Sequence, residues 1–426
     1  MSNNALMVAF HFPPCRGSSG LQRALCFTRF LPAHGWNPIV LTAHPRAYTD
    51  VSDDQMQDVP SNVPVKRVSA LDASRHLAFK GRYWSWTALP DRWLSWFFSA
   101  LPAGLALVRR YRPKVIWSTY PIATAHLIGM ALHRLTGIPW VADFRDPMIE
   151  NNPVTGRRAP SDPRLYRSRS WVERHTIRHC ARAVFVAPGA QRIYTERYAS
   201  LSGSRCSLIA NGYDEEAFRA AEQLSRKRPE RSERLVLLHS GELYPTPDRD
   251  PGAFLGALSS LRAAGKISPA NLKVVLRASA YDDEYRDRIR KSALEDLVYL
   301  EPAIRYREAL AEMLEADGLL LFQGYTSNPA IPAKFYEYLR TGRPIFAMVD
   351  SEGDTAAALR AVGVGKIVPL VSKEQIACGL MEFLGALRNG SEPTSCSADF
   401  RAHSREAKAQ QLAQVFESVI QNGRSG

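Results

Sequence analysis

The chain has 426 residues, 45% hydrophobic and 23% charged, which excludes wholesale disorder and, at ~150 residues per domain, predicts two or three domains. Its formal net charge of +13 favours an anionic partner, whether a phospholipid surface, a nucleic acid or a phosphorylated substrate. Six cysteines with no C-x-x-C pair and no Cys/His cluster exclude a zinc-finger pattern and read as reduced thiols in a cytoplasmic protein.

The opening run Met1–Phe10 lacks a basic segment followed by a long apolar one, so it reads as a strand rather than a secretory signal. Strands are expected at Ala5–Phe10, Pro38–Thr42, Val63–Val68, Val115–Ser118, Trp140–Asp143, Ala183–Ala187 and Ser207–Ile209. Amphipathic stretches such as Leu21–His34 and Ala123–Leu135 fit the intervening helices. The apolar run Trp93–Val108 contains Pro102 and falls short of the ~20 residues that a spanning helix needs. A polar, aperiodic segment at 222–234 predicts a linker between a first domain, 1–221, and a second, 235–403. The second series has strands at Leu235–His239, Leu272–Arg277, Val298–Leu300, Gly318–Phe322, Pro344–Met348 and Lys366–Pro369. Helices are expected at Asp250–Ala264, Tyr281–Ala293, Arg305–Ala316, Ala333–Thr341 and Ser372–Arg388, with a last one within 404–426. Strand-then-helix alternation throughout predicts an α/β protein with two parallel sheets.

Several loops carry candidate chemistry. Gly17-Ser18-Ser19-Gly20 lies between the first strand and a helix, where small residues let backbone amides approach an anion; an ordinary connecting loop is the alternative. Asp143, Arg145 and Asp146 end a strand, where open α/β sheets bind ligands, although Asp143 and Arg145 also fit a loop-ordering ion pair. His126 follows the neighbouring strand and is either a site residue or a helix-start residue. In the second half, Ser240-Gly241 ends a strand and Arg249 follows, while Lys334 and Glu337 share one face near a helix start behind Pro332. A cation at that helix start suits a diphosphate and the carboxylate suits ribose hydroxyls; a surface ion pair is the alternative. Asp248 and Asp250 form a D-x-D too short to mark a metal site, and helix capping explains them as well. Tyr83-Trp84-Ser85-Trp86 and Trp93–Phe98, with Arg82 and Arg92, fit a membrane-facing surface, a nucleic-acid stacking surface or core packing.

The loop Phe12–Gly20, Ser118–Pro121 with His126, Gly137–Pro147, Asn211-Gly212-Tyr213-Asp214 and Lys334…Glu337…Gly342-Arg343-Pro344 resemble in their order the family 4-type bacterial glycosyltransferases of capsule, exopolysaccharide and lipopolysaccharide assembly, while the aromatic region and 222–234 match loosely. The resemblance implies a GT-B architecture, two Rossmann-like domains with a cleft between them, and a last helix that packs back on the first domain. It implies a hexosyltransferase-type reaction, metal-independent and retaining, with no cofactor beyond the nucleotide diphosphate sugar. Ser240, Gly241, Arg249, Lys334 and Glu337 would bind the donor nucleotide, and Arg249 and Lys334 would stabilise the leaving diphosphate. Gly17, Ser18, Ser19, Gly20, His126, Asp143 and Arg145 would face the acceptor. Asp143 and Asp146 would orient it, or one would be the base if the reaction inverts.

The sequence departs from the family pattern twice: Pro329 stands where the first of two paired glutamates is expected, and Glu242 where many relatives carry a diphosphate-binding arginine. The expected acceptor is a glycan or lipid-linked molecule, with peripheral contact to an anionic membrane and no nucleic acid. The rivals are a sugar-nucleotide epimerase of similar fold and a non-catalytic protein that binds nucleic acid or membrane.

Overall fold

The computed structural model describes residues 3–16, 19–151, 158–201, 203–225, 234–390 and 400–422. The chain divides into two compact units, Met1–Asn211 with Arg405–Gly426, and Gly212–Ser404.

The first unit contains β1 (Asn3–Val8), β2 (Trp36–Ala43), β3 (Val65–Val68), β4 (Val115–Thr119), β5 (Trp140–Phe144), β6 (Glu150–Asn151), β7 (Arg158–Ala159), β8 (Arg182–Phe185) and β9 (Cys206–Leu208). Seven of them form one sheet in the order β3-β2-β1-β4-β5-β8-β9, and every pairing in it is parallel. The other two, β6 and β7, pair antiparallel as a small separate ribbon. The third strand starts later than its apolar pattern predicts because Pro64 has no amide to donate; its carbonyl instead accepts from Val40 N at 2.9 Å.

Both faces of this sheet are covered, as a parallel sheet requires. Leu6 and Val8 pack with Ile39, Leu41 and Trp140 on one face, while Ala5 and Met7 pack with Val40 and Trp117 on the other. The second face is closed by the chain's last helix, Arg405–Asn422, whose Phe416 ring lies 5.0 Å from Trp36. Arg182 Nη2 also donates to Ser418 Oγ at 3.1 Å, and Arg405 Nη1 to Gln22 Oε1 at 2.8 Å.

The second unit contains β10 (Leu235–Ser240), β11 (Leu272–Arg277), β12 (Val298–Glu301), β13 (Gly318–Gln323), β14 (Ile345–Val349) and β15 (Lys366–Val368). They form a parallel sheet in the order β12-β11-β10-β13-β14-β15. In each unit the chain thus runs outward through its first three strands and returns beyond the first, which is the Rossmann order.

The division falls at Asn211/Gly212, ahead of the linker expected at 222–234. Residues up to Leu224 continue the helix Glu215–Leu224, which Asp214 caps by accepting from Glu216 N and Ala217 N. Arg340 clamps this helix within the second unit, donating to Glu215 at 2.7 Å and to Glu222 at 2.9 Å. Residues 226–233 of the expected linker lie outside the described residues.

The aromatic region splits into two populations. Trp84 and Trp86 are 74% and 62% exposed, with their rings 6.2 Å apart and nearly parallel. Trp96 is 0% exposed, 5.3 Å from Phe10, and Trp93 is half-buried against the same ring at 4.8 Å. The second tryptophan cluster is therefore core packing. Trp96→Ala should cost about 3–5 kcal/mol of stability and Trp86→Ala less than about 0.5 kcal/mol, compared by urea denaturation. Equal losses would contradict the partition.

Candidate functional site

Parallel strands bring all their carboxyl ends to one edge of the sheet, so polar side chains gather there. In the first unit the edge is tied up internally. Asp143, at 0% exposure, receives Arg23 Nε at 2.9 Å, Arg23 Nη2 at 2.7 Å and Thr119 Oγ1 at 2.7 Å. Arg23 also donates to Ala210 O at 3.3 Å. Both carboxylate oxygens are thus engaged, which removes Asp143 from the expected acceptor-orienting and base roles.

His126 is likewise withdrawn. It is fully buried, with Nδ1 2.7 Å from Ser118 Oγ, which in turn accepts from Trp140 Nε1 at 2.8 Å. Burial drives its pKa down to about 3, so it stays neutral and reaches no acceptor. Arg145 is buried next to His11, whose pKa falls to about 4 through burial first and the Arg145 charge second. Asp146 is the exposed carboxylate of the group. The helix Ser19–Phe30 begins at Ser19, and Gly20 is buried at its start. Gly17, Ser18 and the Ser19 side chain lie outside the described residues.

The second unit's edge is built differently. At the end of β10, His239 donates through Nδ1–H to Leu320 O at 2.8 Å. That bond fixes the tautomer and leaves Nε2 as the acceptor for Lys334 Nζ, 3.1 Å away. Gly241 follows at φ +112°, a conformation that favours glycine, and a Cβ there would stand 3.0 Å from Lys334 Nζ and displace the ammonium. Ser240 N donates to Tyr338 Oη at 3.1 Å, tying β10 to the helix Ala333–Thr341 that carries Lys334.

Around Lys334 the charges are mixed. Arg249 lies 3.4 Å from Asp248 and 5.3 Å above the Tyr244 ring, and the Tyr244 hydroxyl donates to Glu242. Glu337 accepts from Tyr306 Oη at 2.7 Å. Burial, and then the Arg249 charge, lower the Lys334 pKa to about 7, with Glu337 and Glu242 opposing. Pro332 is the N-cap residue at φ −65° and has no side chain able to cap, so the helix start is not closed by its own cap.

Asp248 and Asp250 go to separate partners. Asp248 accepts from Thr326 at 3.2 Å, while Asp250 accepts from Arg288 at 2.7 Å and Gly252 N at 2.8 Å. A side chain at Gly324 would collide with Pro247 O, so the Thr246–Asp250 loop sits directly on the end of β13.

Residues 22–212 match a family model described as a glycosyl transferase 4-like domain. The first unit is therefore similar to a glycosyl transferase 4-like domain over most of its length. The solved structures extend the likeness of fold to the whole chain, and with it the GT-B architecture of two Rossmann-like domains. The sucrose-phosphate synthase of Thermosynechococcus elongatus matches at 15% identity and TM-score 0.59, covering 100% of this chain and 98% of that one. The Anabaena protein HepE in complex with UDP-glucose matches at 14% and 0.59, covering 98% and 97%. WaaG, a glycosyltransferase of lipopolysaccharide biosynthesis, matches at 13% and 0.60, covering 99% and 98%. A UDP-N-acetylglucosamine 2-epimerase also matches, at 10% and 0.56 over 99% and 96%. A search of curated proteins finds no significant match to the sequence.

Within the first unit, the Arg23–Asp143 pair is the residue relation that sequence reasoning missed, since the partners are 120 residues apart. In the second unit His239 and Tyr306 were missed. His239 sits inside an apolar strand run, and its place at the strand's carboxyl end was the available signal.

Lys334 gives this edge a pH signature. Its folded pKa lies below the ordinary 10.5, so between about 7 and 10.5 the unfolded chain binds more protons. Stability should therefore rise with pH across that window relative to Lys334→Met, by at most about 1.4 kcal/mol per pH unit. Thermal or urea unfolding across the window checks this, and parallel curves for the two proteins would contradict it.

Proposed function

We propose that the protein transfers a glycosyl group from a nucleoside diphosphate sugar to a glycan or lipid-linked acceptor of the cell envelope, without a metal ion and with retention. The observation that carries this reading is the constellation at the end of β10: Gly241, the His239–Lys334 pair, Arg249, and Glu337 held by Tyr306.

Lys334, Arg249 and the start of the helix Ala333–Thr341 would take the diphosphate, and Glu337 the ribose hydroxyls. As the bond from the anomeric carbon to the phosphate oxygen breaks, negative charge grows on the diphosphate, and those cations stabilise it more than they stabilise the ground state. The acceptor oxygen attacks from the same face, and its proton passes to the departing phosphate oxygen. No dedicated base is then required, which suits a first unit whose Asp143 is already committed to Arg23. Asp146, exposed at the end of β5, is the carboxylate left to orient an acceptor hydroxyl. Binding of UDP-glucose by the similarly folded HepE supports a nucleotide-sugar donor. The likeness to a UDP-N-acetylglucosamine 2-epimerase keeps one second reading: an epimerase releases an altered sugar nucleotide with no acceptor present. Product analysis of a panel of nucleotide sugars, with and without acceptor glycolipids, separates the two.

Turnover should persist in EDTA, and activity restored only by manganese would count against the assignment. Glu337→Ala should weaken nucleoside diphosphate binding about ten- to a hundredfold, and Tyr306→Phe by roughly two- to tenfold, as read by calorimetry. Unchanged affinity in a folded Glu337→Ala variant would remove that residue from the site.

Affinity for a nucleotide sugar, whose diphosphate does not titrate near neutrality, should fall as pH rises above about 7. The reason is that Lys334 loses its proton in the unliganded protein. A flat profile would show that Lys334 does not meet the diphosphate.

A further inference from the structure

The helix Pro163–His179 carries five arginines and one acidic residue, and that acid is turned inward. Glu173 is fully buried, accepting from Arg197 at 2.6 Å, Tyr194 at 2.7 Å and Tyr198 at 2.8 Å. Arg164, Arg167, Trp171, Arg174 and Arg178 are all exposed. Their spacing of three, four, three and four places them on one stripe, about 21 Å long at 1.5 Å per residue. None of these arginines forms an ion pair with a described residue.

The stripe does not end with the helix. Arg164 Nη1 donates to Ser85 Oγ at 3.1 Å, which sets the exposed Trp84–Trp86 pair beside the stripe's first residue. Arg169 Nε donates to Pro90 O at 3.3 Å, and Asp91 holds the base of that loop by accepting from Trp93 N at 3.0 Å and Thr124 N at 2.7 Å. The tight turn just before the tryptophans raises Phe79, 79% exposed, with Lys80 5.8 Å from its ring and Arg82 closing the turn. A cavity of about 380 Å³, lined by Arg158, Pro160, Ser161, Pro163, Tyr166 and Arg167, opens at the same end of the helix.

We propose that this face, the arginine–tryptophan stripe of Pro163–His179 continued by the Phe79–Trp86 loop, adsorbs the protein on the anionic surface of a phospholipid bilayer. Arginines meet phosphate headgroups, while exposed Trp and Phe side chains enter the headgroup–acyl boundary. A bilayer accepts both kinds of side chain at once. A single-stranded nucleic acid would match the arginines and could stack on the outer tryptophan faces, though not between rings 6.2 Å apart, so oligonucleotide binding is an outcome of the test below. Adsorption rather than insertion is the mode, since among the described residues no helix is long and apolar enough to cross a membrane. The inference draws its purpose from the envelope-acceptor reading, but lipid adsorption is measured without any turnover.

The test is flotation of the full chain with vesicles of phosphatidylglycerol and phosphatidylethanolamine, against vesicles of phosphatidylcholine alone. The wild type should float with the anionic vesicles only and be released by high salt. A triple Arg167→Gln, Arg174→Gln, Arg178→Gln variant should lose about a hundredfold in partitioning, at roughly fivefold per arginine. A control with the same charge change in the second unit, Arg286→Gln, Arg290→Gln, Lys291→Gln, should stay near wild type. Trp84→Ser with Trp86→Ser should also weaken binding, and both side chains are exposed enough for the melting temperature to hold. No flotation of the wild type, or equal losses in the triple variant and its control, would overturn the proposal. So would tight binding of a single-stranded oligonucleotide, abolished in the triple variant, without flotation. Donor hydrolysis should stay at the wild-type rate in all these variants. If flotation succeeds while no nucleotide sugar is turned over, the transfer reading fails and the surface assignment stands.

Discussion

A parallel sheet covered on both faces leaves polar side chains one place to collect. Its ladder consumes the backbone donors and acceptors, and its two faces accept only apolar groups, as the alternation of Leu6 and Val8 against Ala5 and Met7 shows. Charged and hydroxylic residues are pushed to the carboxyl edge, where strands turn into helices. Both units obey this rule, so each presents one polar edge. What distinguishes them is how completely the charges arriving there cancel.

In the first unit they cancel almost entirely. Arg23 and Asp143 neutralise each other in the interior, Ser118 links His126 to Trp140, and Glu173 is shared by one arginine and two tyrosines. Removing one partner of such a buried pair costs on the order of 3–5 kcal/mol, because the other charge is left without compensation. This edge is therefore structural before it is anything else. In the second unit Lys334 is given a neutral imidazole instead of a carboxylate, with Arg249 close enough to lower its pKa. Lys334 and Arg249 repel each other near one glycine turn, an effect that Asp248, Glu242 and Glu337 offset only in part, since the net shift of Lys334 is downward. That asymmetry, more than the presence of any one residue, is what supports the proposal that a phosphorylated ligand binds at the second edge.

The strand–helix alternation was legible in the sequence because parallel strands, buried on both sides, read as apolar runs, and β10 through β15 fall where those runs do. Lys334, Glu337 and Gly241 were legible for a related reason: a proline-led helix start and a glycine after a strand are local signals. Asp143 was not, since its meaning depends on Arg23, far away in the chain. Position at a strand end said only that it would be near an edge. The tryptophans show the same limit. Trp86 and Trp96 stand in similar local patterns, and only the approach of Phe10 makes one of them core. Of the segment at 222–234, Glu222 belongs to the helix Glu215–Leu224 because it meets Arg340, a partner 118 residues away that local pattern does not reveal.

Net charge becomes informative only after the internal pairs are set aside. Arg23, Arg197, Arg262, Arg277, Arg288 and Arg340 are matched to carboxylates within their own units and say nothing about partners. The outward arginines of Pro163–His179 remain, on a helix whose single acid has been drawn into the core by two tyrosines and an arginine. The burial of Glu173 therefore does two things. It anchors the helix to the unit, and it takes the one acid within the helix off the exposed face, leaving the N-cap Asp162 beside the arginines, so that the same contact that stabilises the fold concentrates positive potential on one side of it.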